Sequence, residues 1–173
     1  MNAPYSTSAW ITSAPTFSGN IVSEVTEAAG IGNPAPSYRI VDRQNVGYGA
    51  YAYRDFGIGN YIATRMVTQV AFIEATSGYV EADWRMMCTG DGDGIVVKIN
   101  RVGTTPALLI GNSSSWGSVG SWLAQTAIPV AIDGTGATWY TMEITAVVND
   151  SGSVTVTAKF YDGSSLICEA TVT

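Results

Sequence analysis

The chain has 173 residues, enough for one domain with a sizeable core. It is 46% hydrophobic but only 13% charged, with a net charge of −6 and no histidine. Two lysines and six scattered arginines form no basic patch, which argues against nucleic acid and anionic membrane surfaces as partners. The lack of histidine excludes a Ser-His-Asp or Cys-His site and leaves zinc a poor prospect.

The N-terminal stretch MNAPYSTSAWITSAPTFSG has no basic start and no apolar run, so it does not read as a secretory signal. No segment approaches the ~20 apolar residues that span a bilayer. Residues 1–37 are rich in Pro, Ser, Thr, Asn and Gly. Because proline cannot donate to a sheet ladder, they are expected to form an arm of short edge strands and loops. SGNIVSEVTEAAG (18–30) is expected to hold one short strand. The main domain is expected over residues 38–173.

The stretch VGYGAYAYRDFGIGNY (46–61) sets aromatic rings among glycines. Tyr51 and Tyr53 share a strand face by alternation. Two readings stand: rings that stack on sugar, or rings that fill a core or a subunit interface. TRMVTQVAFIEA (64–75) is long enough for a helix, but its β-branched content argues strand.

Clear period-two alternation begins at GYVEADWRMMC (78–88). Val80, Ala82, Trp84, Met86 and Cys88 fall on one face, with Glu81, Asp83, Arg85 and Met87 on the other. Glu81 and Asp83 stand roughly 7 Å apart on the outward face by strand rise. Two readings stand again: a pair of catalytic or ligand-binding carboxylates, or a solvated face on which Arg85 pairs its neighbours.

TGDGDG (89–94) follows, a glycine-rich connection carrying Asp91 and Asp93. It is expected to be a hairpin loop and needs no metal. An EF-hand is excluded, because the twelfth position counted from Asp91 is Val102. Asp91 and Asp93 remain candidates for two ligands of a Ca²⁺ site completed from elsewhere. No other cofactor is indicated.

GIVVKINRV (94–102) alternates again, setting Ile95, Val97 and Ile99 against Val96, Lys98 and Asn100. GNSSSWGSVGSWLAQ (111–125) looks too polar for a core strand and is expected to be a long loop. Its Trp116 and Trp122 either mark a ligand or partner contact or plug an open end of the domain.

The remaining chain alternates in three runs, WYTMEITAVV (139–148), SVTVTAKFY (153–161) and SLICEATV (165–172). NDSG and YDGSS join them by hairpin chemistry, so an antiparallel meander is expected. Trp139 is expected to anchor a sheet edge. Cys88 and Cys168 each end the inward face of a strand, which fits buried free thiols or a single bridge. Many short strands with polar turns and no long helix give an all-β fold, an antiparallel β-sandwich or jelly roll.

Four stretches together, SGYVEADWRM, GDGDGIVVKINR, TWYTMEITAVV and SVTVTAKFYDGSSL, resemble the concanavalin A-like lectin/glucanase superfamily, which includes laminin G-like modules. The resemblance covers roughly residues 38–173 and is one of architecture. It implies a concanavalin A-like jelly roll and carbohydrate binding. Glucanases of that superfamily carry Glu-x-Asp-x-Glu on one strand. Glu81 and Asp83 match its first two positions, but Arg85 stands at the third.

The expected function is therefore a non-catalytic β-sandwich surface module. Low charge, Gly/Ser/Thr richness and a proline-rich arm suggest a virion protein of decoration or tail-fibre type. Such a module would sit on a virion surface or outside the cell, bind glycan or neighbouring subunits, and form homo-oligomers. The alternative is a glycoside hydrolase or lyase of the same superfamily using Glu81 and Asp83, with Asp91 as a further candidate carboxylate.

Overall fold

A computed structural model describes residues 11–13, 21–25, 37–41, 51–53, 62–72, 80–87, 93–102, 105–115 and 118–173. The chain divides into two compact units, Met1–Gly59 and Asn60–Thr173.

The first unit contains four short strands: β1 (Ile11–Ser13), β2 (Ile21–Val25), β3 (Ser37–Val41) and β4 (Tyr51–Tyr53). β1 pairs antiparallel with β4, and β2 with β3. The strand expected within residues 18–30 is β2.

The second unit contains eight strands: β5 (Ala63–Val70), β6 (Val80–Met87), β7 (Asp93–Val102), β8 (Thr105–Ser115), β9 (Ser118–Ala127), β10 (Tyr140–Val148), β11 (Val154–Asp162) and β12 (Ser165–Val172). They form two antiparallel four-stranded sheets, ordered β12-β11-β10-β5 and β6-β7-β8-β9. No helix occurs among the described residues. The unit is all-β, with the character of a β-sandwich.

Alternation dictates which side chains meet between the sheets. β10 presents Tyr140, Met142, Ile144 and Ala146 inward, and β11 adds Val156, Ala158 and Phe160. From the other sheet come Val97 and Ile99 of β7 and Leu108 and Ile110 of β8. Phe160, Ile144, Met142, Ile99, Leu108 and Ile110 are fully buried, and removing each side chain from water stabilises the fold by about 1.5–3 kcal/mol. The Tyr140 and Phe160 rings stack with centroids 5.1 Å apart. Ala82, Trp84 and Met86 pack against this core from β6, as the alternation of 78–88 predicts.

The expected meander of the last three strands is present, with β10–β11 and β11–β12 both antiparallel. Its turns use glycine where a left-handed backbone is required. Gly152 has φ 81° and Gly163 has φ 56°. The solvent face of this sheet is laced by Arg65–Glu143 (2.8 Å) and Lys159–Glu169 (3.5 Å) ion pairs. Thr157–Thr171 (3.1 Å) and Thr155–Thr173 (2.8 Å) hydroxyl contacts complete it.

Two expectations are corrected. The described residues of 111–125 are not a long loop: 111–115 end β8 and 118–125 form most of β9. Main-chain pairing to β7 fixes β8 there, whatever its Ser/Gly content, and irregular register along β8–β9 hides the alternation. Trp139 does not anchor a sheet edge. It precedes β10, which lies inside its sheet between β11 and β5. The strand preferred for 64–75 is present over 64–70 as β5, while residues 71 and 72 lie beyond it and 73–75 lie outside the described residues.

Candidate functional site

The residues with the most chemistry gather on the outer face of the β6–β9 sheet. Strand pairing places Asp83 opposite Lys98, Arg85 opposite Val96, and Val96 opposite Gly111, which in turn faces Trp122. Directly paired residues point to one face. Asp83, Arg85, Lys98, Gly111 and Trp122 therefore line one surface that crosses all four strands.

Their contacts form a network. Arg85 Nη2 donates to Asp83 Oδ2 at 3.2 Å, and Arg85 Nη1 donates to Ser113 Oγ at 3.3 Å. The second bond carries the guanidinium from β6 diagonally across β7 to β8, from the level of Val96 to that of Gly94. Val96 is fully buried although it faces away from the core cluster. Lys98 Nζ stands 3.8 Å from Asp83 Oδ1 and 5.9 Å from the centre of the Trp122 ring. The latter is a cation–π distance.

Trp122 is held from below by a missing side chain. A Cβ at Gly111 would stand 2.9 Å from Trp122 Cε3, so only glycine leaves room for the ring. One residue on, and on the opposite face of the sheet, Asn112 Oδ1 accepts the Ser121 backbone N–H at 2.7 Å and ties β8 to β9. Trp122 remains 41% exposed, and Leu123 next to it 56%. Val96, Leu109 and Ser113 on the same face are buried, so its exposed part lies at the β6 and β9 margins, where it offers an aromatic plane beside ionic groups. It can stack on the apolar face of a ring and hydrogen-bond its hydroxyls.

The sequence-derived candidates fall as follows. Asp83 and Trp122 are brought onto this one surface through Lys98. Glu81 stands in β6 opposite Asn100. Tyr51 and Tyr53 stand in β4 of the first unit, opposite Ser13 and Ile11. Asp93 opens β7, opposite Ser114, and β6 and β7 are antiparallel neighbours on either side of the glycine-rich connection. Asp91, Trp116 and Cys88 lie outside the described residues. Among the described residues no cluster of three His, Cys, Asp or Glu side chains forms.

Arg85 takes the partner role expected of it, as a neighbour of Asp83. Where the glucanase pattern needs a third carboxylate, the strand carries a guanidinium. Lys98, Gly111 and Ser113 were not singled out from sequence. Their relevance appears only once β7, β8 and β9 are paired.

A separate cleft of about 380 Å³ opens beside the 129–131 segment, with Tyr140, Asp162, Leu166 and Ile167 among its lining residues. None of the sequence-derived candidates lines it. Comparison with family models, curated proteins and solved structures returns no match to this chain.

Proposed function

We propose that the chain is a non-catalytic β-sandwich surface module that binds glycan through the outer face of the β6–β9 sheet. The observation that carries this reading is the half-exposed Trp122 ring, seated on Gly111 with the Lys98–Asp83–Arg85 network beside it. Sugar recognition needs that combination: an aromatic plane fixed in orientation, next to polar groups already ordered by one another.

The finer fold reading is a concanavalin A-like jelly roll. It rests on the two antiparallel sheets together with the sequence resemblance. The setting as a virion decoration or tail-fibre module, self-associated and displayed at a surface, rests on composition: 13% charged residues, 19 glycines and no histidine. Tyr51, Tyr53 and Trp116 would extend the contact surface to glycan or neighbouring subunits. Ca²⁺ at Asp91 and Asp93 would be an accessory. The hydrolase alternative lacks its third carboxylate, since Arg85 occupies that position and is engaged with Asp83.

A glycan array probed with the whole chain and with Trp122→Ala, each with and without a calcium chelator, tests this. The expected result is binding by the whole chain that falls at least ~10-fold in the variant, as for loss of a central aromatic anchor. No binding by the whole chain, or binding indifferent to Trp122, overturns the site. Loss of binding on chelation would assign the metal role to the aspartate-rich connection.

A further inference from the structure

Four strands end the two sheets of the second unit: β5 and β12 in one, β6 and β9 in the other. An edge strand presents a row of unpaired N–H and C=O groups, a template for another strand. Charge along the edge is one way to blunt that template. β5 carries Arg65, β6 carries Glu81, Asp83 and Arg85, and β12 carries Glu169. β9, SVGSWLAQTA, is ten residues long and carries neither charge nor proline.

The difference matters most for pairing with an identical strand. Antiparallel pairing about a two-fold axis sets residues equally far from the axis against one another, so an uncharged edge always meets a partner edge as neutral as itself. β9 alone of the four edges brings no charge into such a pairing. Its pairing to β8 is regular from Ala124 to Ala127, opposite Ile110 to Ala107. The side chains there, Ala124, Gln125, Thr126 and Ala127, are neutral and mostly small. Leu123 is the extra residue of a bulge just before this stretch, and it adds exposed apolar area at the edge.

We propose that β9 pairs antiparallel with β9 of a second copy of this chain, joining two four-stranded sheets into one of eight. The inference deepens the self-association proposed above and rests on that reading. Antiparallel pairing of identical edges requires a two-fold axis perpendicular to the sheet. Both outer faces then lie on the same side, and the two Trp122 sites share one continuous surface. Two sites on one rigid face raise avidity for a repeating glycan without any new contact.

Sedimentation of the whole chain over a concentration series tests this, alongside Gln125→Lys, Leu123→Lys and, as a control on another edge, Glu169→Lys. Gln125 and Leu123 are exposed, so the variants keep the core, and circular dichroism verifies the fold. The expected result is a dimer whose dissociation constant rises at least ~10-fold in the two β9 variants and not in the control. Amide exchange over residues 124–127 should slow as concentration rises. A monomer at every concentration overturns both this inference and the self-association reading. An oligomer indifferent to the β9 variants, or whose formation leaves exchange at 124–127 unchanged, overturns this inference alone.

Discussion

Gly111 and Trp122 face each other across β8 and β9, and the ring occupies the space a side chain at 111 would need. A Cβ there would stand 2.5 Å from the Ser121 carbonyl oxygen and 2.9 Å from Trp122 Cε3. The first contact is with backbone and cannot relax by a rotamer change. Gly111→Ala is therefore expected to destabilise the fold by about 1–3 kcal/mol, as overpacking does, and to shift Trp122. Urea unfolding checks the first effect and tryptophan emission the second. Adding Trp122→Ala should recover only part of the loss, because the backbone clash persists. Full recovery would mean the ring alone fills the space.

Thr68 provides a test with the opposite sign. It lies opposite Met142, so its side chain points into the core. Its Oγ1 is buried and has no hydrogen-bond partner among the described residues. A buried hydroxyl without a partner costs about 1–3 kcal/mol. Thr68→Val removes the hydroxyl while keeping the β-branched shape suited to a strand. It should raise stability by about 1 kcal/mol, read as an increased urea midpoint at unchanged slope. A decrease would show that the hydroxyl is satisfied in solution.

Most of the second unit was legible in its alternation. The runs at 78–88, 94–102, 139–148, 153–161 and 165–172 became β6, β7, β10, β11 and β12, because each has one face on the core and one turned away. β8 was not legible. Its Ala107, Leu108, Leu109 and Ile110 are all buried, so the strand shows a continuous apolar run with no period of two. Its polar continuation through Asn112 and Ser113, and the bulge at Leu123, disguised a hairpin as a loop. The site was legible only in pieces. Asp83 and Trp122 stood out by residue type, but they lie on different edge strands of one sheet. What joins them is Lys98, and its place between them depends on the pairing of strands distant in sequence.

The segment after β9 is pinned by one carboxylate. Asp133 accepts the backbone N–H of Thr135 (2.8 Å), the Thr135 hydroxyl (2.7 Å) and the backbone N–H of Thr138 (2.8 Å). Its own N–H donates to Tyr140 Oη at 2.8 Å. These bonds, those from Thr135 first, hold the carboxyl far below the usual carboxylate range. A depressed folded-state pKa means stability that is present above the unfolded value of about 3.9 and is lost as pH falls through the folded one. Asp133→Asn keeps the shape but does not titrate. The stability gap between native and variant chains should be largest at neutral pH and close progressively below pH ~4. A gap independent of pH would show that the charge contributes nothing.

Cys168 lies in β12 opposite Phe160, 7% exposed and with its thiol free. Burial pushes that thiol up to about 11. At neutral pH it is therefore un-ionised, and the thiolate that reacts with disulfide reagents is scarce. In a Cys88→Ser background, labelling of Cys168 should await unfolding, and its rate should follow urea concentration through the unfolding transition. The sign of the pH effect follows from the raised value. Stability is intact below the unfolded pKa of about 8.5 and declines as pH rises toward about 11, because the unfolded chain ionises first. Cys168→Ala removes that decline and leaves a small cavity beside Phe160, while Cys168→Ser places a hydroxyl there at a cost of about 1–3 kcal/mol. Rapid labelling of the folded chain at neutral pH would show that β12 opens readily at this edge. The packing of Cys168 against the Phe160 side of the core argues that it stays closed.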